Sequence, residues 1–320
     1  MSLVQSSVGS AALARLDGLA ARRGLELAVD APLAPLTTLR VGGPADRLAL
    51  ARDRDELLAV LQAAREARVP WLLIGNGSDL VVADAGVRGL VIRNRARSIR
   101  IDGHDLTADS GAPLALLVKR CTAAGLSGIE FGISIPGTLG GAVWANAGAH
   151  GGEIRDLVTW AEAWDPADDQ VRTFDNAACR FGYRDSRFKH GDEVILAAQL
   201  HLRPDESAAI AERVAANHAT RRATQPLADQ NAGSVFRNPP GDHAGRLIDA
   251  AGLKGLRIGT ASVSTLHANF IVTDRGGRAS DVRALGDRVR AAVLERFGVA
   301  LQYEIEFVGD WPAGTPETAS

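Results

Sequence analysis

The chain has 320 residues, of which 46% are hydrophobic and 23% charged, and its formal net charge is −2. This length exceeds the ~100–150 residues of a typical domain, so we expect two or three packed units. Because the basic excess needed for nucleic-acid binding is missing and no apolar run reaches the ~18 residues that cross a bilayer, we expect a cytoplasmic protein with neither nucleic-acid nor membrane partners.

The first part of the chain alternates between helix and strand patterns. Leucines at a spacing of three predict a helix at 11–23, which Gly24 would end. A strand, a helix and two further strands are predicted, in that order, at 47–51, 55–68, 71–74 and 90–93. This order predicts an α/β unit.

Two further groups of elements complete the chain. A helix is predicted from Pro113 to about Ala124, with strands at 98–101, 106–108, 158–164 and 193–202. The last group has helices predicted at 205–223, 244–251 and 280–297, and strands at 268–273 and 301–308. The tail from Gly309 onward is polar and rich in Pro and Gly, so we expect it to be frayed.

Glycine is enriched, with 34 residues in 320, and one cluster follows a predicted strand. In WLLIGNGSDL (71–80), glycines allow consecutive backbone N–H groups to point into one concavity, which suits a phosphate. Leu80 stands where the dinucleotide fingerprint has its third glycine, and no G-K-[ST] of a P-loop follows. Anion binding and an ordinary strand–turn–strand therefore both remain open.

A second, longer cluster covers residues 128–154. Its glycines are interleaved with Ala and Thr, so side chains are kept away from a long stretch of backbone. A large, flat ligand would explain this pattern, and tight helix–strand packing is the alternative.

Three short segments carry the candidates for chemistry. FGYRDSRFK (181–189) contains Tyr183 and Arg184, AGSVFRNP (232–239) contains Ser234, and LQYEIEF (301–307) contains Glu304. Taken singly, each residue has an ordinary interpretation: a surface cation, a turn hydroxyl, or the polar side of a half-buried strand.

Eight motifs, taken in their order along the chain, resemble those of one protein family. The motifs are T-x-R-V-G-G-P-A-D (38–46), G-N-G-S-D (75–79), I-P-G-T-L-G-G-A (135–142), N-A-G-A-H-G-G-E (146–153), Y-R-D-S-x-F-K (183–189), Q-P…A-G-S-V-F-R-N-P (225–239), A-G-R-L-I-D-A-A-G-L-K-G (244–255) and H-A-N-F-I-V (267–272). Together they resemble the UDP-N-acetylenolpyruvoylglucosamine reductases, of the shorter type without a tyrosine-bearing loop insertion. The resemblance runs from about residue 37 to 309.

The resemblance implies a flavoenzyme that uses NADPH as co-substrate to reduce UDP-N-acetylglucosamine enolpyruvate to UDP-N-acetylmuramate. This is a cytoplasmic step of peptidoglycan synthesis, which serves cell-wall biogenesis, cell shape and cell division. The implied fold class is α+β: a two-subdomain FAD-binding fold of the vanillyl-alcohol-oxidase type, followed by an α+β substrate-binding domain. The expected boundaries are 1–95 and 96–205 for the two FAD-binding subdomains and 206–320 for the substrate-binding domain.

The resemblance also assigns ligand contacts, with no metal among them. The residues expected to bind FAD, non-covalently, are Gly75, Asn76, Gly77, Ser78, Asp79, Pro136, Gly137, Thr138, Gly140, Gly141, Ala142, Asn146 and Gly148. Those expected to bind the UDP-sugar substrate are Tyr183, Arg237, Asn238 and His267, the last with a satisfied strand histidine as an equal alternative.

Three catalytic roles follow from the same resemblance. Hydride from reduced flavin N5 adds to the enolpyruvyl group, so negative charge develops toward the neighbouring carboxylate, which Arg184 would stabilise. Glu304 would act as a protonated donor or as an orienting partner, and the sequence leaves this choice open. Ser234 would deliver the proton to the adjacent carbon.

Two departures from the family pattern affect these assignments. Thr224 stands where the family often has a lysine for the substrate phosphate, and Arg221 or Arg222 could replace that cation. Glu306 stands where the family often has arginine, which puts a flavin contact from that position in doubt.

Two other functions are weighed against this one. A flavin oxidase on the same scaffold is the first alternative, but such oxidases usually tether flavin through His or Cys and lack the A-G-S-x-F-[KR]-N-P motif. The second is a nucleotide-sugar-binding protein without catalysis, which the presence of Arg184, Ser234 and Glu304 disfavours.

The two cysteines, Cys121 and Cys179, have no C-x-x-C spacing, which argues against a zinc site and against disulfide bonds. The oligomeric state and the preference for NADPH over NADH stay open.

Overall fold

The computed structural model describes residues 8–312. Its helices are α1 (Ser10–Arg22), α2 (Arg54–Ala67), α3 (Leu114–Ala123), α4 (Leu139–Trp144), α5 (Ser207–Thr224), α6 (Ala244–Ala250) and α7 (Ala279–Phe297). Short 3₁₀ turns lie at Ala34–Leu36, Glu130–Ser134, Ile154–Asp156 and Arg187–Lys189.

The strands are numbered in chain order. They are β1 (Leu27–Pro32), β2 (Pro44–Ala51), β3 (Trp71–Ile74), β4 (Leu80–Val82), β5 (Val87–Asn94), β6 (Ile99–Asp102), β7 (Asp105–Asp109), β8 (Leu126–Ser127), β9 (Gly148–Ala149), β10 (Gly152–Glu153), β11 (Val158–Asp165), β12 (Gln170–Asp175), β13 (Val194–His201), β14 (Arg203–Pro204), β15 (Gln230–Asn231), β16 (Arg257–Ile258), β17 (Ala261–Val263), β18 (Ile271–Thr273) and β19 (Glu306–Val308).

The N-terminal sheet has the strand order β1-β2-β5-β3. Strand β5 pairs in parallel with both β2 and β3, and most of its side chains are buried, as expected for the centre of a parallel sheet. Helix α2 begins at the Asp53 cap, whose carboxylate accepts from the backbone N–H of Glu56 at 2.8 Å. Leu57 and Leu61 on α2 are fully buried in the same core. The predicted α/β unit is confirmed.

The second sheet is antiparallel throughout, with the order β12-β11-β13-β7-β6. Its core contains Leu106, Leu117 and Leu200, together with Leu139 from α4. Trp164 of β11 instead packs into the core of the N-terminal sheet, its ring centroid 6.0 Å from that of Trp71. The two sheets therefore share a hydrophobic interface.

A third, smaller sheet with the order β15-β18-β17-β16 packs against α7. Strand β19, at the end of the described chain, leaves this unit and pairs in parallel with β4 near the N-terminus. Leu39, Val41 and Val81 complete the hydrophobic core of the third unit. This pairing brings residues near 304–308 beside the loop that follows β3.

An aspartate from the N-terminal part caps a helix of the third unit. The two carboxylate oxygens of Asp84 accept from the backbone N–H groups of Ala279 and Ser280, at 2.8 and 3.1 Å, at the start of α7. These are two of the donors that a helix cannot satisfy internally. Asp84 thus joins two regions that are far apart in the sequence.

Helix predictions agree closely with the structure, whereas three other predictions need correction. The glycine-rich stretch was not expected to contain a helix, yet α4 lies within it, where Gly140 packs against Ser110. Of the predicted strand at 301–308, only 306–308 forms a continuous strand, and residue 303 forms an isolated bridge to Phe236. The tail is packed at Trp311, whose ring lies 5.5 Å from that of Phe307, and its remaining residues, 313–320, lie outside the described chain.

Candidate active site

A cavity of about 1090 Å³ lies where the three units meet. Its walls come from the loop after β3, from the glycine-rich stretch around α4, from the turn before β13, and from the segments around Ser234 and Glu304. Ligand-binding cavities typically have volumes of about 300–1,000 Å³, so this one has room for a large ligand. The residues that the motifs single out therefore meet at one site.

The two glycine clusters adjoin each other in the cavity wall and are tied together by hydrogen bonds. The amide Nδ2 of Asn76 donates to the carbonyl oxygens of Pro136 at 2.8 Å and Gly137 at 3.3 Å. Gly77 has a φ of +61°, and a Cβ there would lie 2.5 Å from the carbonyl oxygen of Leu36. This position therefore requires glycine for both backbone conformation and space.

The second cluster divides into glycines needed for packing and glycines that leave the cavity open. A Cβ on Gly140 would come within 2.7 Å of the Cβ of Ser110, so this glycine serves the packing of α4. A Cβ on Gly137 or Gly141 would have no neighbour nearer than 3.7 Å, and both residues line the cavity. Backbone that is not covered by side chains at these positions fits a planar, phosphate-bearing ligand such as FAD.

Of the predicted FAD-binding residues, Asn146 is the one that does not line the cavity. Its side chain is fully buried and donates to the carbonyl oxygen of Gly182 at 2.7 Å, while its Oδ1 accepts from the N–H of Arg155 at 3.0 Å. Asn146 therefore holds the turn that carries Arg184.

Arg184 is fixed at the wall of the cavity by two hydrogen bonds. Its Nε donates to Oε1 of Glu304 at 2.8 Å, and one terminal nitrogen donates to the carbonyl oxygen of Gly148 at 2.7 Å. The residue has a φ of +53°, uncommon for a side-chain-bearing residue. Ser186, two residues on, anchors the turn by donating from its hydroxyl to the Trp144 carbonyl at 2.7 Å.

Glu304 lies in a largely desolvated position at the same wall. Burial raises the pKa of its carboxyl group above the ordinary value, and the neighbouring Arg184 guanidinium offsets this only in part. About 27% of the side chain is exposed, and the residue lines the cavity. Burial therefore disfavours the ionised form of Glu304 relative to that of an exposed glutamate.

Backbone pairing brings Ser234 to the same cavity. The N–H of Glu304 donates to the carbonyl oxygen of Val235 at 2.8 Å, and the rings of Phe236 and Tyr303 stack with centroids 5.0 Å apart. Ser234 is half-buried and lines the cavity. Within residues 8–312 its hydroxyl has no hydrogen-bond partner, so it is available to a ligand.

The four predicted substrate-binding residues are absent from the cavity wall. Tyr183 is 48% exposed, and its ring lies 5.3 Å from the Arg184 guanidinium carbon. Asn238 accepts from the N–H of Ala244 at the start of α6, at 3.1 Å.

The other two are Arg237 and His267. Arg237 has a buried Nε that finds no partner among the described residues. The ring of His267 packs on Phe270, and its Nδ1 accepts from the N–H of Asn269 at 3.2 Å. Burial, and secondly the charge of Lys254, lower the pKa of His267.

The structure distinguishes the two arginines considered as replacements for a substrate-phosphate lysine. Arg221 lines the cavity, donates from Nε to the Gln225 side chain at 2.9 Å, and has a pKa lowered by burial. Arg222 is exposed and lies outside the cavity wall, as does Thr224. Helical spacing on α5 places adjacent arginines on different faces, so one of the two had to turn away.

Sequence reasoning missed Lys189 and the pairing of Glu306. The ammonium group of Lys189 lies 3.1 Å from Oε1 of Glu306 and 4.2 Å from the centroid of the Trp144 ring. Both members of the pair line the cavity, as does Asp79. Burial, and secondly the Glu306 charge, raise the pKa of Asp79 to about 6. Lys189 closes the Y-R-D-S-x-F-K motif, which was the available signal.

Neither cysteine takes part in the site. Cys121 and Cys179 are free and buried, and burial raises their pKa values to about 12 and about 11. Among residues 8–312, no group of three or more His, Cys, Asp or Glu side chains could hold a metal ion. Over the same residues, none of the helices combines the length and apolar character needed to cross a membrane.

Comparison with known proteins identifies relatives over most of the chain. Residues 225–308 match the model for the C-terminal domain of UDP-N-acetylenolpyruvoylglucosamine reductase, and residues 45–175 match that of an FAD-binding domain. The reductase of Heliobacterium modesticaldum is 44% identical over 282 residues, which cover 87% of this chain and 90% of the relative. That of Anaeromyxobacter dehalogenans strain 2CP-C is 46% identical over 285 residues, covering 88% and 86%.

A solved structure agrees with these matches. The crystal structure of the UDP-N-acetylenolpyruvylglucosamine reductase from Thermus caldophilus is 36% identical in sequence and superposes with a TM-score of 0.75. The match covers 90% of this chain and 99% of that one. With the FAD-binding-domain match, it confirms the predicted fold class of an FAD-binding fold followed by a C-terminal α+β domain.

Proposed function

The chain belongs to the UDP-N-acetylenolpyruvoylglucosamine reductase family, and we propose that Arg184, Ser234 and Glu304 are its catalytic residues. It is an FAD-dependent oxidoreductase that reduces UDP-N-acetylglucosamine enolpyruvate to UDP-N-acetylmuramate in peptidoglycan synthesis. NADPH as the reductant and a cytoplasmic location belong to the proposal.

One observation carries the assignment of the catalytic residues. Arg184, Ser234 and Glu304 come from three distant segments, yet all three line the cavity whose other walls are the glycine clusters. A guanidinium, a free hydroxyl and a largely desolvated carboxyl group then face the space that a flavin and its substrate would share.

The glycine clusters are proposed to hold FAD without a covalent bond. The backbone of Gly75–Ser78 would contact the phosphates, and the open positions at Gly137 and Gly141 would accommodate the flat part of the cofactor. When bound, FAD supplies the hydride that reduces the enolpyruvyl double bond.

Arg184 is proposed to bind the enolpyruvyl carboxylate. Negative charge develops toward this carboxylate during reduction, and a fixed cation aimed at it stabilises the transition state more than the ground state. The hydrogen bonds from Arg184 to Glu304 and Gly148 hold the guanidinium in place beforehand, so little reorganisation accompanies the reaction.

Ser234 is proposed to donate the proton that completes the reduction. Its hydroxyl has no partner within residues 8–312 and follows Gly233, where a Cβ would meet no atom within 4 Å. The acceptor carbon is strongly basic, so a hydroxyl of ordinary acidity can serve as the acid. Glu304, with its raised pKa, is proposed to orient Arg184 and to exchange protons with the site.

Contacts to the UDP part of the substrate are proposed for Arg221 in the cavity and for Tyr183, Arg237, Asn238 and His267 beside it. A guanidinium offers a planar pair of donors to phosphate oxygens, which supports the roles of the two arginines. The partnerless Nε of Arg237 is consistent with a ligand contact.

An anaerobic spectral experiment tests this function. The purified protein should carry a flavin band at about 450 nm that is lost on addition of NADPH. Addition of UDP-N-acetylglucosamine enolpyruvate should then restore the band, with UDP-N-acetylmuramate as the product. A flavin that is reduced by NADPH but reoxidised by oxygen alone would favour an oxidase and contradict the proposal.

A further inference from the structure

Lys189 is almost completely enclosed, which is unusual for a lysine. Its side chain is only 6% exposed, whereas lysines are almost never buried without a partner. The partners are the carboxylate of Glu306 at 3.1 Å and the face of the Trp144 ring at 4.2 Å. Since Lys189 and Trp144 both line the cavity, the ammonium group is a fixed charge at its wall.

The segment before β13 carries both Arg184 and Lys189, and both cations bind the segment that leads into β19. Arg184 binds Glu304 and Lys189 binds Glu306, two residues further on. All four of these residues line the cavity. Lys189 therefore belongs to the same wall as the proposed catalytic residues.

The field of Lys189 already acts on other groups in the cavity. Its charge lowers the pKa of Asp79 and of Glu304, against the effects of burial. The carboxylates of Glu306 and Glu304 also raise the pKa of Asp79, and the guanidinium groups of Arg184 and Arg237 also lower that of Glu304. Any ligand that gains negative charge in this cavity would feel the same field.

A flavin gains such a charge when it is reduced. Two electrons and one proton leave the ring with one negative charge, which a nearby cation in a poorly solvated site stabilises. Resting on the proposed function, we propose that Lys189 is the fixed cation that sets the reduction potential of the bound flavin, and that Glu306 attenuates its charge.

This role predicts opposite effects for two variants that break the same ion pair. Lys189→Met removes the positive charge and leaves Glu306, so the flavin becomes harder to reduce. Glu306→Gln removes the negative charge and leaves Lys189 unneutralised, so the flavin becomes easier to reduce. A purely structural clamp would shift both variants in the same direction, because both lose the same contact.

The test is a spectral redox titration of the FAD-loaded protein against a reference dye, without the UDP-sugar. Each variant should change the equilibrium between reduced and oxidised flavin by about tenfold, or about 30 mV for a two-electron couple, with opposite signs. The double variant should lie between the two single variants. Lys254→Met and Asp249→Asn, which break an ion pair of 2.9 Å outside the cavity wall, should leave the potential unchanged.

Shifts of equal sign, or no shift for Glu306→Gln, would overturn the proposal. If Lys189→Met fails to fold, two other variants test the proposal. Glu306→Gln should make the flavin easier to reduce, and Lys189→Arg, which keeps the charge, should leave the reduction potential unchanged. Opposite shifts in a protein whose reduced flavin is not reoxidised by the UDP-sugar would refute the proposed function alone. Normal reoxidation with unmoved potentials would refute only the role of Lys189.

Discussion

Nε of Arg184 donates to Oε1 of Glu304 at 2.8 Å, although 120 residues separate them in the chain. The contact joins the turn before β13 to the segment before β19. It is possible because β19 pairs with β4, and because the N–H of Glu304 bonds to the carbonyl of Val235 beside Ser234. The three proposed catalytic residues therefore meet through the pairing of distant chain segments.

The geometry of Arg184 predicts that lysine cannot replace it. A guanidinium reaches Glu304 and Gly148 at once, whereas an ammonium group lacks this fixed pair of donors. Arg184→Lys should slow flavin reoxidation by the UDP-sugar by about 10²–10³-fold, the size of losing one donor to developing charge. Arg180→Lys, at an exposed residue with a similar φ of +48°, should leave the rate unchanged in the same stopped-flow assay.

Asp79 should make stability depend on pH. Because the folded protein raises the pKa of this carboxyl group from 3.8 to about 6, the folded state binds a proton more tightly than the unfolded chain. Ionisation therefore costs stability as the pH rises through this range, and the cost persists above it. Asp79→Asn should raise the free energy of unfolding of the FAD-free protein at pH 8. We expect this increase to exceed the effect of the same variant at pH 4 by about 1–3 kcal/mol. Equal changes in urea unfolding at both pH values would contradict this.

The loop at Gly77 should not tolerate a side chain. A Cβ would collide with the Leu36 carbonyl in a backbone with a φ of +61°, so Gly77→Ala should displace the loop and weaken FAD binding at least about tenfold. Gly103→Ala provides the matched control, with a φ of +58° but no atom within 4 Å of the added Cβ. Fluorescence titration of the FAD-free proteins compares them, and equal affinities would argue against the loop as a binding element.

The Asp84 cap should contribute to stability in a pH-dependent way. Burial alone would raise the pKa of Asp84, but the hydrogen bonds from Ser280 and Ala279 outweigh it and lower the pKa. The contribution is thus present above the unfolded pKa and is lost as the pH falls through the folded one. Asp84→Ala should cost about 1–2 kcal/mol in urea unfolding at pH 7 and less at pH 3.

A second aspartate serves as the control for this prediction. Asp249 forms an exposed ion pair with Lys254 and caps no helix of another unit. Asp249→Ala should change stability by less than about 0.5 kcal/mol. If Asp84→Ala lowers the free energy of unfolding no more than Asp249→Ala does, the claim that Asp84 joins the two regions is contradicted.

Much of this site could be predicted because each motif is a short, continuous segment of the chain. The reason for its glycines can be read within that segment. The strand and the glycine turn at 71–78 were readable from the sequence, and the helix patterns gave α1, α2 and α7 within one or two residues. Helix α4 was missed because glycine lowers helix propensity, and packing of Gly140 on Ser110 overrides it.

What the sequence could not provide is contact between distant segments. Lys189 and Glu306 are 117 residues apart, and only the β4–β19 pairing places them together. Likewise, the rotation of α5 decides that Arg221 rather than Arg222 reaches the cavity. Asn146 looked like a cofactor ligand in its motif, but its amide is used to hold the turn of Arg184.

The most direct test of the central claim separates the two halves of the reaction in Ser234→Ala. Stopped-flow absorbance should show flavin reduction by NADPH within about twofold of wild type, and reoxidation by UDP-N-acetylglucosamine enolpyruvate slowed about 10²–10⁴-fold, the usual contribution of a positioned acid. Ser134→Ala, which removes a cavity hydroxyl bonded to His150, should slow neither half strongly. Equal losses in both halves for Ser234→Ala, or no loss in reoxidation, would contradict a proton donor at this position.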